Sequence, residues 1–242
     1  MTLKTVLGDV LVGEHPKNIK GYREGDDLLW RCKNHKIYEA KLLLEMPKNS
    51  SFLDIGAHFG DTVLTMAIHA RNNNRSDIKF FAFEPFIKKC EYIRHISKLN
   101  GLNITVFNNC VGNTNGKAII NKPHISHAGH SSYRINNSGD VDIIRIDDIK
   151  DLISPIGIMH IDTEGWEGLV LKGSHDVLSD TKNKMYIIVE NARWLDVYFN
   201  DEKKMLKYSE DRLMEIIENY NYIRLDDIYD EENNLVFKMN SV

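Results

Sequence analysis

The sequence predicts an α/β fold in which a mostly parallel sheet is covered by helices on both faces. From Ser51 onward, apolar segments of strand length alternate with segments whose apolar residues recur at helical spacing, which is typical of parallel sheets. Acidic residues also end four of the predicted strands: Asp54, Glu84, Asp162 and Glu190. Because ligands of such sheets bind beyond the carboxyl ends of the strands, these acids indicate a binding site at that edge.

The stretch from Ser51 to Gly60, Ser-Phe-Leu-Asp-Ile-Gly-Ala-His-Phe-Gly, predicts a buried strand, a glycine turn and the start of a helix. Glycine permits a tight turn that a ligand can approach closely, and a helix N-terminus offers N–H groups. Asp54 disfavours a phosphate group but suits an ammonium or hydroxyl group. The turn also lacks the third glycine of Gly-x-Gly-x-x-Gly. It therefore favours S-adenosylmethionine over a dinucleotide and argues against an NAD-dependent oxidoreductase.

The other elements follow in alternation along the chain. Strands are predicted at 78–83, 103–107, 117–121, 131–135, 141–146, 156–161, 185–189, 222–225 and 235–239. Helices are predicted at 86–99, 147–153, 166–177 and 213–220. Residues 1–48 form an N-terminal extension with a possible hairpin at 5–12 and a helix that ends before Pro47. This extension is a candidate lid, or a contact surface for substrate or a second subunit.

Composition narrows the functional class. A net charge of −4 gives none of the basic excess expected for a nucleic-acid-binding protein. No apolar run approaches the roughly 20 residues of a membrane span, and the N-terminus does not resemble a secretory signal. The three cysteines have no Cys-x-x-Cys spacing, which favours a reducing compartment and argues against structural zinc. We expect a cytoplasmic monomer or homodimer that binds neither nucleic acid nor membrane.

Glu84 ends the next predicted strand, about one strand–helix unit after the glycine turn. An acidic side chain at this place binds the ribose hydroxyls in dinucleotide folds. The alternative is an exposed carboxylate before a proline turn. Together, the turn and Glu84 predict a ligand that contains a nucleoside.

Five segments taken in order resemble the FkbM family of S-adenosylmethionine-dependent methyltransferases. They are Phe-Leu-Asp-Ile-Gly-Ala-His-Phe-Gly, Phe-Ala-Phe-Glu-Pro, Asn-Cys-Val-Gly, His-Ile-Asp-Thr-Glu-Gly-Trp-Glu and Leu-Lys-Gly. The resemblance covers about residues 50–192, and Ile-Asp-Thr-Glu-Gly-x-Glu is its most specific part. It implies that residues 49–242 form a methyltransferase domain with a Rossmann-like class I fold, whose mostly parallel sheet has seven strands.

The resemblance also implies the reaction and the cofactor site. The expected reaction is O-methylation of a sugar or glycan (EC 2.1.1 class); the alternatives are a polyketide-type or other small-molecule acceptor, or a methyltransferase-like binding protein without catalysis. The residues expected to bind S-adenosylmethionine are Asp54, Gly56, Ala57, His58, Phe59, Gly60, Thr62, Glu84, Pro85, Cys110, Val111 and Asp162. The turn would hold the methionine part, Glu84 the ribose, and Cys110 and Val111 the adenine.

A sugar hydroxyl is a poor nucleophile at neutral pH, so a general base or a metal ion is expected to assist the transfer. The candidate catalytic residues are Asp162, Glu164 and His160. No dedicated metal site is predicted, although Asp162 and Glu190 are possible oxygen ligands for Mg²⁺. Glu167 follows Glu164 by three residues and has a possible role in stabilising the positive N-terminus of a helix.

Two residues depart from the family pattern, which usually has asparagine in place of His58 and lysine in place of His160. His160 precedes Asp162 by two residues, so the two side chains would point to the same face of a strand. A packed histidine in the protein interior is the alternative to a catalytic role for His160.

The acceptor is expected to contact polar and aromatic residues outside the cofactor motifs. His127 and Ser132 lie in a polar loop that carries three histidines, and a zinc site is disfavoured there because the spacing matches no standard site. Glu190 and Asn191 follow a predicted strand, and Trp194 is the first residue of an aromatic segment behind it. Core packing is the alternative use of Trp194.

Overall fold

The fold is built around a central sheet, and the computed structural model describes residues 2–12, 37–120, 133–135, 139–183, 185–190, 210–225 and 234–240. In chain order, the strands are β1 (Thr2–Thr5), β2 (Gly8–Leu11), β3 (Ser51–Ile55), β4 (Lys79–Phe83), β5 (Ile104–Phe107), β6 (Cys110–Val111), β7 (Gly116–Ile120), β8 (Tyr133–Ile135), β9 (Val141–Ile144), β10 (Ile156–Ile161), β11 (Tyr186–Val189), β12 (Tyr222–Arg224) and β13 (Leu235–Met239). The helices are α1 (Ile37–Glu45), α2 (Asp61–Asn72), α3 (Ile87–Leu99), α4 (Lys150–Ile153), α5 (Glu167–Lys172), α6 (His175–Ser179) and α7 (Glu210–Ile217), and a 3₁₀ turn spans Ile146–Ile149.

Seven of these strands form one sheet in the order β12-β13-β11-β10-β3-β4-β5. The strands β11, β10, β3, β4 and β5 are parallel, whereas β13 is antiparallel to both of its neighbours. The strand order reverses at β3, with β4 on one side and β10 on the other, and ligands of open α/β sheets bind at such a switch point. The predicted α/β fold with a mostly parallel seven-stranded sheet is confirmed.

Both faces of the sheet are buried, because side chains alternate between the two sides of each strand. On β3, Leu53 and Ile55 belong to a core that also contains side chains of α5, α6 and α7, whereas Phe52 belongs to a second core with α1, α2 and α3. Burial on both sides explains why the central strands are predominantly apolar in the sequence. Helices therefore cover both faces, as predicted.

The described parts of the N-terminal extension lie at the edge of the sheet where the strands begin. The β1–β2 hairpin packs on α2, and the side chain of Asn100, just after α3, accepts from the N–H of Leu11 and donates to its carbonyl, both at 2.7 Å. Since α2 and α3 end where the following strands begin, this contact is remote from the acidic strand ends. The predicted lid or contact role of residues 1–48 stays a prediction, and residues 13–36 of the extension lie outside the described residues.

One predicted helix, 166–177, is divided into α5 and α6 at Gly173. A Cβ atom on Gly173 would lie 2.0 Å from the carbonyl oxygen of Gly112, so the two backbones are in direct contact there. Asp147 stabilises the break: its N–H donates to the Gly173 carbonyl, and its carboxylate accepts from the N–H groups of Asp176 and Val177 at the start of α6.

A smaller sheet in the order β6-β9-β7-β8 lies between β5 and β10 in the sequence and carries Cys110 and Val111 on β6. None of the described helices combines the length and the apolar character needed to cross a lipid bilayer.

Candidate active site

A cleft opens at the carboxyl ends of β3, β4 and β10. It is lined by Ile55, Gly56, His58, Phe83, Glu84, Pro85, Phe86, Lys89, Asn109, Cys110, Val111, Asp162, Thr163 and Glu164. Eight of these are residues that the sequence pointed to: Gly56, His58, Glu84, Pro85, Cys110, Val111, Asp162 and Glu164. Six other candidate cofactor-binding or catalytic residues do not line the cleft: Asp54, Ala57, Phe59, Gly60, Thr62 and His160.

The glycine turn is held against the ends of both neighbouring strands. The N–H groups of Gly56 and Ala57 donate to the carbonyl of Phe83 at 2.9 and 3.0 Å, which joins the turn to β4. Gly56 has a φ of 91°, and a Cβ atom there would come 1.8 Å from the carbonyl oxygen of Asp162. Only glycine suits this position, because both the backbone conformation and the contact exclude a side chain.

Glu84 lies in the cleft wall with its carboxylate held by the backbone. Oε2 accepts from the N–H of His58 at 2.9 Å, and Oε1 accepts from the N–H of Phe86 at 2.9 Å. Burial raises the pKa of Glu84, while the nearby Lys89 ammonium and these N–H donors oppose that shift. A carboxylate has about four acceptor sites, so Glu84 retains capacity to accept the hydroxyls of a ribose.

Asp54 lies near the end of β3, as the sequence predicts, but its side chain is buried behind the cleft wall. Its Oδ2 accepts from the N–H of Val63 in the first turn of α2 at 3.1 Å, and its Oδ1 lies 3.0 Å from Nδ1 of His160. His160 is likewise buried, on β10. Neither side chain lines the cleft, and a role of His160 in proton transfer stays a prediction.

Asp162, Glu164 and Glu190 bring several carboxyl groups to the ends of β10 and β11. The pKa of Glu190 is raised to about 11 by burial and by the charges of Asp162, Glu164 and Glu167, and a hydrogen bond with Asp162 adds to the shift. This shift favours the protonated form of the Glu190 carboxyl group. A carboxyl group binds Mg²⁺ in its ionised form, so this arrangement does not support the possible Mg²⁺ ligands Asp162 and Glu190. No metal-binding group of three or more His, Cys, Asp or Glu residues occurs within the described residues.

The loop that carries Asp162 and Glu164 is shaped by Glu167. Oε1 of Glu167 accepts from the N–H of Thr163 at 2.9 Å, the hydroxyl of Thr163 at 2.9 Å and the N–H of Gly165 at 3.1 Å. Glu164 and Gly165 adopt positive φ angles of 59° and 103°, which gives the loop its sharp turn. Glu167 thus stabilises the loop backbone at the start of α5.

The cleft also contains residues that the sequence did not single out: Ile55, Phe83, Phe86, Lys89, Asn109 and Thr163. The Lys89 ammonium lies 4.9 Å from the ring centroid of Phe86 and 5.5 Å from that of Phe59, within the range of a cation–π contact. Phe86 directly follows Glu84-Pro85, so its place in the sequence was a usable signal. Lys89 lies in the first turn of α3, and no motif marks it.

Among the predicted acceptor residues, only Glu190 belongs to the part of the chain that the structure describes. Glu190 lies beside Asp162 but does not line the cleft. His127, Ser132, Asn191 and Trp194 lie outside the described residues, so their contact with an acceptor stays a prediction.

Comparisons with known proteins identify the family. The family model described as the methyltransferase FkbM domain matches residues 54–224, which is more than half of the chain. Among solved structures, an FkbM methyltransferase from Methylobacillus flagellatus KT is similar at 18% identity and a TM-score of 0.48; the match covers 78% of this chain and only 44% of that one.

Two other structures illustrate more distant similarity. A precorrin-6y C5,15-methyltransferase from Geobacter metallireducens GS-15 is 13% identical, with 84% of this chain and 87% of that one covered and a TM-score of 0.47. A fibrillarin from Aeropyrum pernix, solved with bound S-adenosyl-L-methionine, is 11% identical, with 82% and 73% covered and a TM-score of 0.45. No curated protein matches the sequence significantly. The family match agrees with the resemblance seen in the sequence: the chain belongs to the FkbM family of S-adenosylmethionine-dependent methyltransferases.

Proposed function

We propose that the protein transfers the methyl group of S-adenosylmethionine to a hydroxyl group of a sugar or glycan. The observation that carries the proposal is the single cleft that brings together the Gly56 turn, the Glu84 carboxylate and Asp162. The residues fit the cofactor, because Gly56 leaves room at the backbone and Glu84 keeps acceptor capacity for ribose hydroxyls. Cys110 and Val111 line the same cleft and offer an apolar surface for the adenine.

The cofactor supplies a methyl group that is already activated on its sulfonium. The protein then has to align the acceptor hydroxyl with that methyl group and accept the hydroxyl proton. Asp162 and Glu164 line the cleft and are the proposed bases. The raised pKa of Glu190 favours its protonated form, which donates to the neighbouring Asp162. In this form Glu190 orients the Asp162 carboxylate without competing with it for the proton of the acceptor.

The carboxylates at the end of β10 support a hydroxyl acceptor, because a hydroxyl group needs a base to accept its proton. The sugar or glycan is supported by the family resemblance alone. A polyketide-type or other small molecule is the second candidate acceptor, since the same chemistry serves any aliphatic hydroxyl. A methyltransferase-like protein that binds the cofactor without catalysis is the third possibility.

The test is a transfer assay with S-adenosylmethionine labelled at the methyl group, run with and without EDTA against oligosaccharides, glycosylated natural products and their aglycones. The proposal predicts label in a methyl ether on a sugar, stable to alkali, at equal rates with and without EDTA. Label on an aglycone would instead support the small-molecule acceptor. Cofactor binding without transfer to any acceptor would support the binding protein.

The predictions on domain, location and assembly are independent of this chemistry. We propose a methyltransferase domain at 49–242 preceded by an extension, in a cytoplasmic monomer or homodimer that contacts neither membrane nor nucleic acid. Light scattering of the purified protein tests the assembly directly.

A further inference from the structure

A buried pair of polar side chains, Asp54 and His160, lies in the middle of the sheet beneath the cleft. The two residues are register partners on the adjacent parallel strands β3 and β10. Nδ1 of His160 lies 3.0 Å from Oδ1 of Asp54, and the side chains are only 3% and 2% exposed, respectively. Because a carboxylate can only accept, Nδ1 is the donor. Apolar side chains would pack at this depth with a lower free-energy cost of burial. A buried polar pair therefore indicates a specific role.

The second oxygen of Asp54 shows what the pair supports. Oδ2 accepts from the N–H of Val63, the third residue of α2, at 3.1 Å. The residue at the N-cap of that helix is Gly60, which has no side chain and makes no capping bond. Asp54 therefore caps α2 from a strand. The hydrogen bond closes the loop between β3 and α2, which contains the glycine turn.

The same pair reaches the other side of the cleft through β10. His160 precedes Asp162 by two residues, and the N–H of Asp162 donates to the carbonyl of Ile55 at 2.9 Å. The Asp162 carbonyl in turn packs on Gly56. The turn and the end of β10 are thus joined above the sheet by backbone contacts and within it by the Asp54–His160 pair.

We propose that His160 is a positioning residue for the cofactor: it fixes the carboxylate of Asp54 so that Asp54 holds the N-terminus of α2, and with it the glycine turn, in the binding geometry. The inference rests on the proposed cofactor site. Without the His160 donor, Oδ1 of Asp54 is left buried without its partner, which is costly. The carboxylate then turns towards another donor or water and releases the N–H of Val63.

A matched pair of variants separates this role from general stability. Asparagine places an amide N–H near the position of Nδ1, so His160→Asn keeps a donor to Asp54, whereas His160→Leu removes it. Ile158→Ala is the control, because Ile158 is buried on the same strand and the same face but does not contact the pair through a hydrogen bond. Each variant is compared with the wild type by calorimetry with S-adenosylhomocysteine, thermal unfolding, and hydrogen exchange of the unliganded protein.

We expect His160→Leu to raise the dissociation constant for S-adenosylhomocysteine by about tenfold or more and to accelerate amide exchange around residues 56–66. His160→Asn should stay within about threefold of the wild type in both measurements. Ile158→Ala should lower the melting temperature and leave the dissociation constant unchanged. Equal loss of affinity in His160→Leu and Ile158→Ala, or unchanged exchange at 56–66, would overturn the proposal.

Two further outcomes are informative. If the wild type binds no S-adenosylhomocysteine, the proposed cofactor site is wrong, while the exchange comparison still decides whether His160 holds the turn. If His160→Leu does not fold, the wild type labelled with ¹⁵N-histidine replaces it. The Nδ1–H signal that is absent from His160→Asn should shift when S-adenosylhomocysteine binds, and an unchanged signal in a saturated complex would contradict the proposal.

Discussion

The carbonyl oxygen of Asp162 occupies the space that a side chain at Gly56 would need, since a Cβ atom there would lie 1.8 Å from it. The turn after β3 and the end of β10 therefore meet backbone to backbone. This contact fixes the distance between the proposed methionine site at the turn and the proposed base on Asp162. Alignment of this kind supplies much of the rate when the transferred group is already activated.

Gly56→Ala should disrupt both the fold and the site. We expect it to lower the free energy of unfolding by about 3 kcal/mol or more, because it adds a backbone clash to the strain of a positive φ. We also expect the dissociation constant for S-adenosylhomocysteine to rise by about tenfold or more. Gly101→Ala is the control: Gly101 has a φ of 62° and nothing within 4 Å of its Cβ position. It should cost about 1 kcal/mol without changing affinity; equal effects of the two changes would contradict the contact argument.

Glu84→Gln should weaken cofactor binding by about tenfold or more. The amide group has only one acceptor oxygen, so one of the N–H groups of His58 and Phe86 loses its partner, and the ribose loses a charged acceptor. Calorimetry with S-adenosylhomocysteine measures the change. Glu91→Gln, on the exposed face of α3 where Glu91 pairs with Lys88, should bind like the wild type. Wild-type affinity in Glu84→Gln would refute the ribose assignment.

The raised pKa of Glu190, about 11 against an ordinary value of 4.5, makes stability dependent on pH. Below about pH 4.5, the folded and unfolded states both hold this proton, so the carboxyl group makes no difference. As pH rises from there towards 11, the unfolded state releases the proton and the folded state keeps it. Ionisation therefore favours the unfolded state, and stability falls by up to about 1.4 kcal/mol per pH unit from this group.

Glu190→Gln removes this contribution while keeping a donor for Asp162. Denaturant unfolding at several values between about pH 5 and about pH 9 should show the variant gaining stability relative to the wild type as pH rises. The raised pKa values of Glu84 and Glu167 act in the same direction in both proteins. The difference in pH dependence between the variant and the wild type therefore reports on Glu190. Parallel profiles would show that Glu190 ionises normally in the folded protein.

Glu167→Ala should destabilise the protein by about 3 kcal/mol, because it leaves the donors of Thr163 and Gly165 without their acceptor in a buried loop. Glu167→Gln retains an oxygen that can accept from the same donors and should lose less than half of that. Urea unfolding gives both values. In the transfer assay, the alanine variant should lose turnover through the displaced Asp162 and Glu164; full turnover would show that the loop does not depend on Glu167.

Most of the fold was predictable because the residue pattern of each strand agrees with the place of that strand in the sheet. The apolar runs at Phe52–Ile55 and Ile156–Ile161 are buried on both faces, and the acids that follow the strands gather at one edge. The division of the predicted helix at Gly173 was not predictable. It depends on contact with Gly112, far away in the sequence.

The candidate site was predictable at positions where the backbone geometry requires a particular residue. It was less predictable at positions where tertiary contacts decide the direction of a side chain. Gly56 and Glu84 are fixed by the turn and the strand end. Asp54 looks equivalent to Glu84 in the sequence, but it points into the protein because α2 and His160 supply its donors. His58 also gains an explanation: its φ is 50°, a left-handed conformation that asparagine and histidine both tolerate better than most residues.

Calorimetric titration of the wild-type protein with S-adenosylhomocysteine at neutral pH tests the cofactor site most directly. We expect saturable binding at one site per chain, with a dissociation constant in the micromolar range. Absence of binding at millimolar ligand would contradict the assignment of the cleft at β3, β4 and β10 as the cofactor site.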